Sequence, residues 1–352
     1  MCRIKRGLLS MDSKRLDYID YAKGLGIILV VAGHLIGEAE MEFAGAQGIR
    51  MFIYQFHMPL FFMISGVTLE LSFYRHGENG AIRLVKRALM LLVSYLFWSG
   101  IYQYLIKFSG RSVNLHEELC CILTLRGRAP IWFLAALSAA EFAFIILHRF
   151  LFRSEKKYAA LPLLAIIMMI LCTKLLTQLN LSFDNLAVQY LTISLIRLFP
   201  SLVFLISGSL LFRFLHNYSN NTVLMSMGAL LLVLTAALTV LFRNSINMHL
   251  AVFGNVFLFY INAWLGAAGT MFLSKGICGV IKTRILPSIG RNSCGIMVFH
   301  YPPYFLTFHY AQVVCTLLGI SNRFLAFAVC LAISVLALNL LTEIIKKYQM
   351  FL

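Results

Sequence analysis

Along the chain, apolar runs long enough to cross a hydrocarbon layer of about 30 Å alternate with short polar clusters from one end to the other. The runs predict ten membrane spans, at 20–38, 50–71, 86–106, 131–149, 158–179, 190–212, 222–242, 250–274, 287–318 with a break, and 324–345. The expected fold is all-α, a polytopic membrane protein of about ten transmembrane helices. The polar stretches leave no room for a separate soluble domain, so residues 1–19 read as a cytoplasmic segment, 20–346 as one integral domain and 347–352 as a cytoplasmic tail. The first run lacks a small-residue cleavage site and is followed at once by further spans. That makes it a retained helix rather than a signal peptide, with Met11 as an alternative start.

Composition agrees with a lipid solvent: 60% of the chain is hydrophobic and 12% charged, more apolar surface than a soluble globule of this length could bury. The formal charge of +16 would point to nucleic acid in a soluble protein, but here it follows topology. Lys and Arg gather before the first span (Arg3, Lys5, Arg6, Lys14, Arg15), after the second (Arg75, Arg83, Lys86, Arg87) and after the fourth (Arg149, Arg153, Lys156, Lys157). Others follow at Lys275, Lys282, Arg284, Lys346 and Lys347. Both termini are therefore expected in the cytoplasm, with membrane lipids and not nucleic acid as partners, and a bacterial cytoplasmic membrane as the location. The opposite loops are acidic or neutral, as at Glu38, Glu40 and Glu42, with one exception. The loop from Lys107 to Pro130 carries Arg111, Arg126 and Arg128, which face lipid phosphates or an anionic acceptor at the mouth of a cavity.

The eight cysteines show no C-x-x-C or paired Cys/His spacing and read as packing residues. A phosphate-binding glycine loop, a G-x-S-x-G elbow and an H-E-x-x-H pair are absent from the sequence. What remains is a short set of polar groups at membrane depth, each costly there unless it faces the protein interior. In "KGLGIILVVAGH", Lys23 and His34 are eleven residues apart, which places them within about 20° on one helix face and about 16 Å apart along it. Gly26 and Gly33 share nearly the same stripe and let a backbone or a ligand come close.

"FHMPLFFMISG" on the second span puts His57 about 10 Å below the outer surface, beside Pro59, where a kink is expected. "NSCGIMVFHYPPY" on the ninth places His300 about 20 Å above the cytoplasmic end, next to Pro302 and Pro303. Three histidines thus fall at one depth. Each is either hydrogen-bonded to a carbonyl freed by a kink or part of a reactive cluster; a tri-histidine metal site lacks a visible carboxylate to support it, so no metal is expected. Glu141 and Arg197 are either a mutual ion pair between helices, or one orients a histidine while the other stabilises developing negative charge. Arg83, Lys86 and Arg87, at helical spacing where the third span begins, either anchor the topology or bind a phosphate. Trp132, Tyr190 and Trp264 read as interface or packing residues.

Four stretches in order, "RLDYIDYAKGLGIILVVAGH", "FHMPLFFMISG", "IWFLAAL" and "IGRNSCGIMVFH", resemble acyltransferase family 3, the integral membrane acyltransferases, and within it the fucose 4-O-acetylase-like branch. The resemblance implies transfer of an acyl group, acetyl in the usual case, from cytoplasmic acyl-CoA to a hydroxyl of a surface or lipid-linked carbohydrate. Acyl-CoA would be a co-substrate, with no permanently bound cofactor. It matches His34 to the family's transfer histidine, acting as general base or transient acyl carrier. Lys23 falls on a basic position that is often arginine in related branches, so the forked phosphate donor is lost there. Arg83, Lys86 and Arg87 match the family's basic cluster, expected to hold the donor's phosphates. Arg197 and His57 are candidates for stabilising the oxyanion. A secondary transporter or lipid-linked glycan translocase is the rival reading, kept by an echo between "PLFFMISG" at 59–66 and "PSLVFLISG" at 200–208.

Overall fold

The computed structural model describes residues 16–37, 41–108, 114–151, 160–179, 183–301 and 313–347. Within them the chain is built from helices α1 (Asp17–Gly37), α2 (Ala46–His76), α3 (Glu78–Phe108), α4 (Leu115–Leu123), α5 (Trp132–Leu151) and α6 (Ala160–Gln178). There follow α7 (Leu186–Asn217), α8 (Asn221–Phe242), α9 (Val256–Val280), α10 (Ile285–Arg291), α11 (Ser293–Phe299) and α12 (Arg323–Lys347). Among the described residues nine of these are long and apolar enough to cross a membrane, namely α1, α2, α3, α5, α6, α7, α8, α9 and α12. The expected all-α polytopic architecture is therefore the one observed, with the ninth predicted span as its irregular member. Arg3 to Arg15, Glu38, Glu40, Arg111, Arg153 to Lys157, Pro302 and Pro303, for which the sequence also carries expectations, lie outside the described residues.

Two expectations about spans change. The span expected at 250–274 starts instead at Val256, because residues 243–255 form an outer loop closed on itself. In that loop the Asn244 side chain donates to the carbonyls of Phe253 and Asn255, Asn247 caps a single 3₁₀ turn at Met248–Leu250, and Asn255 caps α9. The ninth span breaks earlier than its proline pair, at Asn292 between α10 and α11. There the Asn292 side chain donates to Asn339 at 2.9 Å and Glu343 at 2.7 Å, satisfying polar groups that an unbroken helix would not offer. Pro59, where a kink is expected, sits inside a helix that continues from Ala46 to His76.

Helices α1, α2, α7 and α9 bury most of their surface, whereas α6, α8 and α12 turn most of theirs outward. The inner four carry the buried polar side chains Gln55, His57, Ser65, Glu70, Arg197, Ser201 and Asn262. The outer ones present Leu163, Ile167, Val233, Val240, Leu336 and Leu340, as lipid-facing helices do. With lipid on the outside, helices gain little by hiding leucine, so close packing at small residues holds the centre together. Gly66 and Gly208 show this at the α2–α7 crossing. A Cβ at Gly66 would strike the carbonyl of Leu205, and one at Gly208 would strike the carbonyl of Met63. The echo between "PLFFMISG" and "PSLVFLISG" is thus two copies of one packing solution facing each other.

Candidate functional site

A cavity of about 380 Å³ runs through the middle of the bundle, within the range of small-molecule sites. Its first wall is a single stripe of α1, Lys23, Ile27, Val30 and His34, recurring at helical spacing. The facing wall is α2 from Arg50 to Ser65, fifteen residues and so about 22 Å of helix. Arg87 and Leu91 of α3, Trp132 to Leu137 of α5, Asn247 to His249 of the outer loop, and Ser293, Cys294 and Met297 of α11 close it. A Cβ at Gly26 would come within 3.1 Å of Leu60 and Phe61, and one at Gly33 within 3.1 Å of Tyr54, so these glycines admit α2 to the wall.

The inner end is set by Arg87. Its guanidinium donates to Thr68 Oγ1 at 2.7 Å and Ser65 Oγ at 2.8 Å, and pairs with Glu141 Oε1 at 2.7 Å. Ser65 Oγ in turn donates to the same carboxylate oxygen at 2.5 Å. Glu141 is fully buried, and its charge is close enough to Lys23 to act on it as well. The basic trio expected to act together is divided: Arg87 reaches the cavity, while Arg83, beside His76 at 3.2 Å, and Lys86 are exposed on the rim.

The outer end holds the histidines. The rings of His34 and His300 lie 4.9 Å apart at 60°, and Tyr301 lies 5.7 Å from His34. His57 packs on Tyr54 at 4.9 Å. His57 Nδ1 faces the Ile53 carbonyl at 2.9 Å and His300 Nδ1 the Met297 carbonyl at 2.7 Å. As neutral rings both therefore carry the proton on Nδ1 and leave Nε2 as a lone pair. His300 Nε2 and His34 Nδ1 are buried with no hydrogen-bond partner among the described residues. An unmade hydrogen bond of this kind costs about 1–3 kcal/mol, and here two occur in touching rings at one depth. Among the described residues no three His, Cys, Asp or Glu side chains gather to hold a metal ion.

Arg197 does not pair with Glu141, whose partner is Arg87. It is buried in α7, donating through Nη2 to the carbonyls of Leu125 (3.4 Å) and Arg126 (2.9 Å) and to Ser194 (3.1 Å). Its guanidinium also lies 5.2 Å over Trp132. It thereby fastens the loop ahead of α5, where Leu125 and Gly127 adopt positive φ, and supports Trp132 at the cavity wall. The cations expected at the outer mouth are also engaged. Arg128 binds Glu117 and Glu118, each at 2.6 Å, and Arg126 stacks 4.3 Å over Tyr190.

Sequence reasoning passes over Arg50, Ser65 and His249 and reads Trp132 as packing. The signal for Arg50 is its place at the outer, cation-poor end of a span. His249 stacks on Trp132 at 5.8 Å and lies 3.3 Å from the carbonyl of Gly127, linking the outer loop to the wall. Its ring is held neutral down to about pH 4, first by burial and next by the Arg197 charge.

A family model described as an acyltransferase domain matches residues 16–342, nearly the whole described chain. The chain is 31% identical over 139 residues to the nodulation protein NolL of Sinorhizobium fredii, covering 34% of this chain and 37% of that protein. It is 37% identical over 82 residues to nodulation protein NolL of Mesorhizobium japonicum, covering 22% and 21%. The matches thus span about a third and a fifth of these relatives. No solved structure matches.

Proposed function

Because the chain belongs to acyltransferase family 3, we propose that it is a membrane-embedded O-acyltransferase. It moves an acyl group, acetyl in the reference case, from cytoplasmic acyl-CoA to a hydroxyl of a surface or lipid-linked carbohydrate, in a bacterial cytoplasmic membrane. The observation that carries this is the single cavity joining Lys23 and Arg87 at one end to His34 at the other. A donor with a phosphate head and a long thin arm needs that shape. Lys23 and Arg87 neutralise phosphate where the arm enters, with Arg83 and Lys86 gathering the donor at the rim. The apolar wall of Ile27, Val30, Phe61 and Leu137 takes the arm.

At His34 the acceptor hydroxyl loses its proton to the imidazole as its oxygen attacks the thioester carbonyl. The carbon–sulfur bond then breaks, and the imidazolium returns the proton to the departing thiolate. The competing order, in which the ring carries the acyl group as an acyl-imidazole before the hydroxyl attacks, uses the same contacts. His57, which lines the cavity and offers a lone pair from Nε2, accepts from the acceptor's hydroxyls and orients it, while His300, packed against the His34 ring, positions that ring. Glu141 positions Arg87, and Arg197 positions Trp132. The echo that favoured a translocase is accounted for by the Gly66–Gly208 crossing, so no observation separately supports that reading.

The test is transfer of label from acetyl-CoA to membrane glycan by purified protein in nanodiscs. His34→Ala, expressed at the normal level and still binding acetyl-CoA, is expected to lose about 10²- to 10⁴-fold in rate. Transfer at the native rate by this variant sinks the mechanism.

A further inference from the structure

The outer end of the cavity holds a cation that the transfer chemistry does not use. Arg50, in the first turns of α2, lines the cavity together with His34. Among the described residues no carboxylate lies within ion-pair distance of it, and no Asp or Glu lines the cavity. A guanidinium facing an enclosed space without an anion is unfavourable, and its planar fork of donors matches a carboxylate or a phosphate.

The position is built. The guanidinium is stacked over the Tyr54 ring at 5.1 Å and seated against α1 at Gly37, where a Cβ would stand 2.6 Å from the Arg50 Cζ. Gly37 lies three residues beyond His34, so the fork sits roughly 4.5 Å, about one turn, outward of the transfer depth. Arg126 and Arg128, in the loop ahead of α5, are taken up by Tyr190 and by Glu117 and Glu118. Arg50 is the one aimed at the acceptor's end of the cavity.

We propose, resting on the acyltransfer reading above, that the acceptor is an acidic sugar whose carboxylate or phosphate is gripped by Arg50 while a neighbouring hydroxyl meets His34. The short step from the fork to the ring requires the negative charge to lie on the same sugar as the reacting hydroxyl, or on its immediate linkage. Trp132 and Tyr54 line the cavity beside it. Arg50 is then a specificity residue: it decides which hydroxyl-bearing molecules stay long enough to react.

The experiment is equilibrium binding to the full chain, read by tryptophan fluorescence because Trp132 lines this end. Three probes share a ring and a tail and differ at C6: hexyl glucuronide, hexyl glucoside 6-phosphate and neutral hexyl glucoside. At least one charged glycoside is expected to bind about tenfold or more tightly than the neutral one, the worth of a charge-assisted fork. Arg50→Gln is expected to erase that preference, and Arg50→Lys to restore part of it. Gly37→Ala, which keeps Arg50 in the chain but displaces its guanidinium, is expected to act like Arg50→Gln.

Equal binding of the three glycosides by the wild-type protein, absence of any measurable binding, or a preference that survives Arg50→Gln would each overturn the proposal. Should the variants fail to fold, the wild-type comparison decides alone. Repeating the titration in a polyoxyethylene ether detergent and in phospholipid nanodiscs separates sources of the anion. A preference present in detergent and lost in nanodiscs assigns Arg50 to lipid headgroups and overturns the sugar. Failure of acetyl-CoA turnover, measured separately, would overturn the acyltransfer reading without altering the binding result.

Discussion

Two arginines face the same cavity and are held in opposite ways. Arg87, at the inner end, is tied by Glu141, Ser65 and Thr68. Arg50, at the outer end, rests on an aromatic ring and a glycine, with no carboxylate paired to it among the described residues. The difference is one of remaining electrostatic demand. Glu141 satisfies much of the charge on Arg87, which leaves Arg87 as a rigid wall element with a share of positive field for a phosphate. Arg50 keeps its full demand for an anion. One cavity thus carries a fixed, partly neutralised cation where the donor enters and an open one where the acceptor binds.

The largest expected effect comes from breaking the inner pair. Arg87→Ala leaves Glu141, fully buried, without its counter-charge. Removing one partner of a buried pair costs about 3–5 kcal/mol, and the lower end applies because the Arg87 side chain is 36% exposed. Thermal unfolding in detergent should show the loss, and the double change Arg87→Met with Glu141→Leu should recover most of it. Arg50→Gln strands no buried carboxylate among the described residues, so its unfolding temperature should stay close to the wild-type value. A comparable loss there would erase the contrast.

A smaller effect separates the cavity's cations from the rim's. Lys23→Gln is expected to raise the Michaelis constant for acetyl-CoA about tenfold, as loss of a charged contact inside a cavity does. Arg83→Gln with Lys86→Gln should raise it only about twofold, since exposed charges are screened. Equal effects at the two places would return the phosphate site to the rim.

The sequence carries the α1 stripe openly, because helical period converts eleven residues into a common face and a depth without reference to any other helix. Span number and helical class are legible for the same reason. What depends on rotation and contact between helices is not. Glu141 has two arginines within reach in principle, and only the packing of α3 against α5 selects Arg87 over Arg197. Arg50 reads as the edge of a span, and nothing local reveals that Gly37 of another helix makes its seat. The break at Asn292 is hidden because its partners, Asn339 and Glu343, lie on the last helix. The outer loop is masked in the sequence because Val252, Phe253 and Val256 continue the apolar run, although Asn244, Asn247 and Asn255 are the residues whose side chains close it.

That loop supplies the finest test of the contrast. If His249 were charged at neutral pH, the outer end would hold two cations and Arg50 would not stand alone. The ring is neutral above about pH 4 in the folded protein, whereas an unperturbed histidine titrates near 6.5. Between those values the unfolded chain binds a proton that the folded chain does not, so stability falls as pH is lowered from about 6.5 to about 4 and levels off below. His249→Gln keeps a polar side chain at the position and removes the titration. Its unfolding temperature is therefore expected to decline less steeply than the wild-type one across that window and to match its slope above it. Identical slopes through the window would mean that the His249 ring takes up its proton in the folded protein at about 6.5, as an unperturbed imidazole does, so that below that pH the charge at the acceptor's end is shared between two groups instead of resting on Arg50.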